Sequence, residues 1–182
     1  MEKATFAGGC FWCTEAIFKR LKGVDSVLPG YSGGDVENPT YEEVCTGNTG
    51  HAEAIQIEFD PNVIPFEKLL EIFFYTHNPT TPNQQGNDMG PQYRSVVFYH
   101  SENQKNETEK YIKELENEKV FDTPIVTTVE PFKNFYEAED YHKNYFDRNR
   151  QAPYCDITIS PKIHKLLEKY GESVKEEYKA SD

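Results

Sequence analysis

With 182 residues, among them 12 Phe and 12 Tyr, the chain is long enough for one well-buried domain with ring-rich packing and too short for a second independent core. A net charge of −12 excludes nucleic acid and anionic membrane surfaces as natural partners, since both require a basic patch. The opening MEKATFAGGC has no apolar run of signal-peptide or membrane-spanning length, so the expectation is a cytoplasmic, monomeric chain forming a single catalytic domain over 1–182. Cysteines at 10, 13, 45 and 155 accompany no export signal, which favours reduced thiols with a chemical role over disulfides. No second Cys-x-x-Cys knuckle exists and no histidine lies close in sequence to Cys10 or Cys13, which argues against structural zinc.

In chain order, Thr5 to Gly8 reads as the end of a strand, Gly8-Gly9 as a turn, and Trp12 to Lys22 as a helix stopped at Gly23. Leu28 to Pro39, rich in Gly and Pro, predicts a loop folding back over that helix. From Glu53 to Phe59 apolar and polar residues alternate as in a strand with one buried face, and Glu53 falls on the apolar side. Pro65 followed by Phe66, Leu69, Leu70, Phe73 and Phe74 predicts an amphipathic helix with proline in its first turn. Asn78 to Gln92 carries too much Gly and Pro for regular structure and reads as a long ordered loop. Arg94 to Tyr99 predicts a strand, Ser101 with Gln104 a capping box opening a solvated helix to about Glu118, and Ile125 to Val129 a further strand. Ala138, Tyr141, His142, Tyr145 and Phe146 recur at helical spacing, Gln151 to Cys155 reads as a turn, and Ile163, Leu166 and Leu167 suggest a last helix. Beyond Gly171 the chain is expected to fray. Strands alternating with helices around two long loops give an α+β or α/β sandwich.

The chemistry concentrates in Gly8-Gly9-Cys10-Phe11-Trp12-Cys13, a Cys-x-x-Cys at a helix start, where free amides and the helix dipole stabilise a thiolate. Cys10, with the unpaired amides of the first turn ahead of it, is the better nucleophile candidate, and Cys13 lies one turn inside. Both thiols also fit ordinary core residues, or a thioredoxin-like exchange pair, although two bulky aromatics between them are unusual for the latter. Phe11 and Trp12 alone read as core; beside a reactive thiol they suit a methyl thioether, which gains burial and sulfur–ring contact without charge. A carboxylate on a buried strand face must be paired or protonated, which makes Glu53 a candidate general acid; an exposed edge or pairing with Arg94 is the alternative that periodicity leaves open. Asp88 reads as a turn residue, Tyr41 as a partly buried aromatic and Cys45 as a buried structural thiol. His51 shares the strand face of Glu53 by alternation and suits a structural hydrogen bond.

Three segments carry a resemblance: Gly-Cys-Phe-Trp-Cys at 9–13, Pro-Thr-Tyr-x-x-Val-Cys-Thr-Gly-x-Thr-Gly-His-Ala-Glu at 39–53, and Asp-x-Gly-x-Gln-Tyr-Arg-Ser at 88–95. Together with Ala138 to Phe146 and Tyr154-Cys155, they resemble the class A peptide methionine sulfoxide reductases over nearly the whole chain. The resemblance implies a two-layer, ferredoxin-like sandwich with a mixed sheet and long ordered loops. It implies Cys10 as nucleophile, Glu53 as proton donor, Tyr41 and Tyr93 as hydroxyls holding the sulfoxide oxygen, Phe11 and Trp12 as methyl pocket, and Asp88 as a substrate-orienting residue. The implied reaction reduces the S epimer of methionine sulfoxide, free or in proteins, leaving a Cys10 sulfenic acid that condenses with a second thiol. No cofactor is bound in this scheme; thioredoxin, or dithiothreitol in vitro, reopens the disulfide. Cys155, in a turn near the chain end where movement is cheap, is favoured as the resolving thiol over Cys13, whose helical turn restrains disulfide geometry. The C-terminal region departs from those family members that carry two recycling cysteines in a glycine-rich tail, since only Cys155 is present there. A noncatalytic interaction domain is the remaining alternative and predicts no turnover.

Overall fold

The computed structural model describes residues 1–180. In chain order it runs β1 (Glu2–Gly8), α1 (Phe11–Phe18), β2 (Val24–Ser32), α2 (Tyr41–Cys45), β3 (Ala52–Phe59), α3 (Phe66–Thr76), a hairpin of β4 (Gln84–Gln85) and β5 (Asp88–Met89), and β6 (Ser95–Tyr99). Then follow α4 (Glu102–Asn117), β7 (Thr128–Pro131), β8 (Tyr136–Glu137), α5 (Tyr145–Arg148), α6 (Ser160–Tyr170) and α7 (Glu176–Lys179). One mixed six-stranded sheet has the order β7-β6-β1-β3-β2-β8; all pairs are antiparallel except β6 with β7, which α4 connects in parallel. This is an α+β fold with β1 and β3 at its centre. No helix among the described residues is long and apolar enough to cross a membrane.

The central strands are buried along most of their length, and Phe6, Phe18, Phe66 and Phe73 pack ring against ring, with Phe6 stacked on Phe73 at 4.8 Å. Proline at 65 takes the N-cap position of α3 with extended backbone, and Leu69, Leu70, Phe73 and Phe74 turn to the core as their spacing predicts. Helix α1 is buried nearly all round, from Phe11 through Phe18, rather than on one face. Its far end is tied down by Arg20, wholly buried, which pairs with Asp147 at 2.7 Å. Burial opposes charge on Asp147, yet hydrogen bonds from Arg20 and Lys19 hold its carboxyl down to about 2.

Several sequence expectations shift. The stretch from Leu28 is not loop: β2 continues to Ser32, because glycine at 30 admits a neighbouring chain segment, the Tyr136 carbonyl and Phe135 ring standing 2.4 Å from where a Cβ would sit. The long loop after Asn78 contains the short β4–β5 hairpin turned at Gly86. Ser101 caps α4, accepting the Gln104 amide, but the Gln104 side chain leaves the capping box to bridge the His100 amide and the Lys3 carbonyl. The strand expected over Ile125 to Val129 lies at Thr128–Pro131. No continuous helix runs from Ala138 to Phe146; Asn144 adopts a left-handed backbone (φ 55°), and its amide donates to both oxygens of Glu15 at 3.0 and 3.2 Å, which breaks the run into a 3₁₀ turn (Asp140–His142) and α5.

Cys155 does not sit in a mobile turn. It opens a π-helical turn (Cys155–Ile159) that runs into α6, and it is wholly buried. Nor does the chain fray just beyond Gly171: Val174 is 0% exposed and bridges Leu21, while the Lys22 amide reaches Ser173 and the Lys175 amide reaches Arg20; the last two positions of the tail expected to fray lie outside the described residues. Backbone pairing plus one apolar anchor holds this tail against α1's exit. Val174→Ala should therefore destabilise the fold by about 2 kcal/mol, the loss expected for two buried methyl groups plus a residual cavity. A lowered urea midpoint at unchanged slope checks it; an unchanged midpoint contradicts the docked tail.

Candidate active site

Cys10 stands at the junction of β1 and α1. Gly9 makes the junction possible with a left-handed backbone (φ +92°), and a Cβ there would lie 2.6 Å from the Gln85 side chain. Cys10 occupies the N-cap position with extended dihedrals (φ −61°, ψ 128°), its carbonyl accepting the Cys13 amide at 3.1 Å. The side chains of Cys10, Cys13 and Cys155 share one buried cluster, packed with Trp12, Tyr93 and Tyr154. At 8% exposure Cys10 is the most accessible of these three thiols, against 2% and 0%.

Central strand β3 brings Glu53 to the same helix start. Its Oε1 accepts the first amide of α1, Phe11 N–H, at 3.1 Å, and the carboxyl is 1% exposed. Burial pushes its pKa up from 4.5 to about 8; the Phe11 amide works against this, and the charges of Asp88 and Cys13 work with it. The alternative pairing with Arg94 is absent, as that guanidinium donates to the carbonyls of Pro91 and Gly50. Because Oε1 is occupied as an acceptor, the acid's proton resides on Oε2, and Oε2 is buried with no hydrogen-bond partner among the described residues. An unspent O–H donor thus sits beside the thiol.

The thiols of Cys10 and Cys13 lie in one buried cluster and titrate as a pair. Burial, then the Cys13 contact and the Glu53 charge, push the Cys10 thiol well above its usual range, and these outweigh the Trp12 amide that favours its thiolate. Cys13 is drawn down from 9.0 to about 7, chiefly by the hydrogen bond from Cys10 and against its own burial, with Lys162 and the Tyr154 hydroxyl assisting. The two ionisations therefore belong to the pair, one drawn down and the other pushed up.

Tyr41 begins α2, its amide donating to Glu139 at 2.9 Å, and Tyr93 ends the 3₁₀ turn Pro91–Tyr93. Burial first and the Glu53 charge next raise both phenols, so both keep their protons and remain donors. Phe11 is wholly buried against Tyr31, Tyr41 and His142, whereas Trp12 is half-buried and lies flat on Tyr145, centroids 3.7 Å apart at 8°. Asp88 is more than a turn residue: it lies on β5 and accepts the Tyr154 hydroxyl at 2.6 Å, and that hydroxyl is 3.8 Å from the Cys13 sulfur. Cys45, expected to be buried, is exposed at the end of α2 beside the Tyr41 hydroxyl. His51 serves the loop, accepting the Gly34 amide at 3.0 Å and bonding the Val36 carbonyl at 2.7 Å.

Sequence reasoning passed over Tyr154, Glu139 and His142 as site residues, although their neighbours Cys155 and the Ala138–Phe146 segment had already been singled out. No group of three or more His, Cys, Asp or Glu able to hold a metal occurs among the described residues. Cavities of about 640 and 630 Å³ open elsewhere, one against Lys68 and Tyr170 and one against His77 and Phe121, and Cys10 lines neither. Chemistry rather than concavity locates the site.

Reduced thiols clustered near a buried carboxyl and an aromatic wall are the equipment of a thiol-dependent reductase. The family model for peptide methionine sulfoxide reductase matches residues 2–175, and the chain belongs to that family. It is 59% identical over 170 residues to peptide methionine sulfoxide reductase MsrA of Sulfolobus acidocaldarius, covering 93% of this chain and 96% of that one. To an MsrA of Thermus thermophilus it is 56% identical over 164 residues, covering 90% and 92%. Among solved structures, Mxr1 from Saccharomyces cerevisiae in reduced form is similar at TM-score 0.77 and 38% identity, covering 85% of this chain and 88% of that one. Mxr1 in complex with Trx2 is similar at TM-score 0.54 and 28% identity, covering 79% and 84%.

Glu53 also makes stability depend on pH. Between 4.5 and about 8 the folded chain retains a proton that the unfolded chain has released, so stability falls as pH rises through that window. Glu53→Gln, which keeps the acceptor for Phe11 N–H, should be less sensitive to pH there, by on the order of a few kcal/mol. Urea midpoints of both proteins from pH 5 to 8 test this, and the comparison cancels Glu15, which burial also raises to about 7. Parallel pH curves contradict the assignment.

Proposed function

We propose that the protein reduces the S epimer of methionine sulfoxide, free or in proteins, to methionine. The observation that carries this reading is the partnerless acid Oε2 of Glu53 next to Cys10. In the first step Cys10 passes its proton to Cys13 and attacks the sulfoxide sulfur, while Glu53 protonates the oxygen. Tyr41 and Tyr93, both held as O–H donors, steady that oxygen as charge builds on it. Phe11 and Trp12 receive the methyl group, and Asp88 with Tyr154 orients the substrate. The protonated oxygen then transfers to the Cys10 sulfur, the substrate sulfur–oxygen bond and the newly made sulfur–sulfur bond breaking as the Cys10–oxygen bond forms; methionine leaves, Cys10 is a sulfenic acid oxidised by two electrons, and the methionine sulfur is reduced by two.

A second thiolate then attacks the Cys10 sulfur, forming a disulfide and expelling hydroxide, which takes up a proton to leave as water. Cys13 is the first resolving thiol in this reading, because it shares the buried cluster of Cys10 and because Cys10, as N-cap, is not locked into the helical turn. Cys155 is the second reading: it lies in the same cluster, and its π-helical turn is a weak point at which α6 opens at low cost. Thioredoxin or another dithiol reopens the disulfide, a step that the Trx2 complex of the yeast relative supports. The two electrons pass through thiols alone, so the scheme needs no bound cofactor. A monomeric, cytoplasmic, single-domain enzyme fits this chemistry, since reduced thiols persist in that compartment. The order β6-β1-β3-β2, antiparallel throughout, with α1 and α3 as crossovers, supports a ferredoxin-like description of the sandwich.

With racemic N-acetylmethionine sulfoxide and dithiothreitol, only the S epimer should disappear. Cys10→Ser should abolish turnover, and Glu53→Gln should lower it by about 10²- to 10⁴-fold, the range for loss of a positioned acid. Consumption of both epimers, or of neither, contradicts the reading. In single turnover, Cys155→Ser should release one methionine and yield a Cys10–Cys13 disulfide on peptide mapping, whereas an accumulating sulfenic acid assigns resolution to Cys155.

A further inference from the structure

We propose that His142 is a positioning residue for this reaction: one hydrogen bond from the Trp12 indole to its ring fixes how that indole is rotated in its own plane, and hence the wall offered to the substrate methyl group. The inference rests on the reductase reading, in which Trp12 forms part of the methyl pocket.

His142 is 0% exposed and sits among rings, with centroids 4.9 Å from Phe11, 4.5 Å from Tyr41 and 4.1 Å from Tyr141. Such surroundings suit a phenylalanine, and a buried imidazole costs desolvation unless its nitrogens are used. One nitrogen is used: Nδ1 accepts the Trp12 Nε1–H at 3.0 Å. The other, Nε2, is buried with no hydrogen-bond partner among the described residues. Histidine at this position is thus accounted for by its bond to Trp12 and by nothing else the ring touches.

That bond also dictates the protonation state. Nδ1 must present a lone pair, so the ring is neutral with its proton on Nε2; an imidazolium would set two N–H donors against each other. Burial depresses the affinity of His142 for a second proton, against the charges of Glu139 and Glu42, in keeping with this requirement.

Geometry explains why Trp12 needs the bond. Stacking on Tyr145 at 3.7 Å and 8° fixes the plane of the indole, and Tyr154 meets it at 81°. Flat stacking tolerates sliding and rotation within that plane, since offset arrangements differ little in energy. A single directional bond at the ring's edge removes this freedom. The support is itself anchored: the His142 amide bonds the Glu139 carbonyl at 2.9 Å, while the Glu139 carboxylate accepts the Tyr31 hydroxyl at 2.8 Å and the Tyr41 amide at 2.9 Å. One short turn therefore sets both Trp12 and the start of α2.

Trp12 is the chain's single tryptophan, so its indole N–H gives one resonance in a ¹⁵N-correlated proton spectrum. In His142→Phe this resonance should move upfield and exchange faster with solvent. KM for N-acetylmethionine sulfoxide should rise about fivefold to tenfold, as for loss of a buried hydrogen bond, with kcat within about twofold. His142→Gln, which restores an acceptor, should recover part of both changes and serves as the folded comparison should the Phe variant misfold. In a Trp12→Phe background, His142→Phe should add no further increase in KM. An unshifted indole resonance in His142→Phe, or an equal rise in KM in both backgrounds, overturns the proposal. Absence of sulfoxide reduction by the unaltered protein would overturn the reductase reading instead, and the indole resonance would still report whether His142 holds Trp12.

Discussion

The site depends on a buried carboxyl lodged against the first turn of a helix. Glu53 lies on β3, flanked on both sides by β1 and β2, so water reaches it from neither edge of the strand. In a hydrated setting the α1 amide would stabilise a carboxylate, as helix starts usually do. Here desolvation wins, the acid keeps its proton to about pH 8, and the amide instead decides which oxygen carries it. Moving Glu53 one residue along β3 would turn it to the opposite sheet face and away from Cys10.

The same low-dielectric setting rearranges the thiols. A helix start alone would favour a Cys10 thiolate, but loss of water and the neighbouring Cys13 act against it, and the two thiols titrate as a pair. Tyr154 couples this pair to Asp88, and His142 couples Trp12 to the turn that also begins α2.

Legibility in the sequence followed interaction range. Strand β3 and helix α3 were readable because their burial follows a local period, and Glu53 was readable as an anomaly on an apolar face. Gly30 misled because its role is to admit Phe135 and Tyr136, which are more than a hundred residues away. The break at Asn144 is decided by Glu15, and the docked tail by Leu21 and Arg20, contacts that periodicity does not encode. Cys155 read as mobile from its proline-containing neighbourhood, yet that segment winds into a helix whose packing partners lie on α1. Cys10, Trp12 and Glu53 were readable from residue chemistry and Tyr41, Asp88 and Tyr93 by resemblance, and the partners that orient them emerged only in three dimensions.

The proposed reduction step requires Glu53 to be an acid at neutral pH. Titration of its side-chain carboxyl by ¹³C NMR, assigned by difference from Glu53→Gln, measures this directly. A midpoint near 8 is predicted; a midpoint near the ordinary 4.5 would contradict it, because the donor for the sulfoxide oxygen would then be absent at neutral pH.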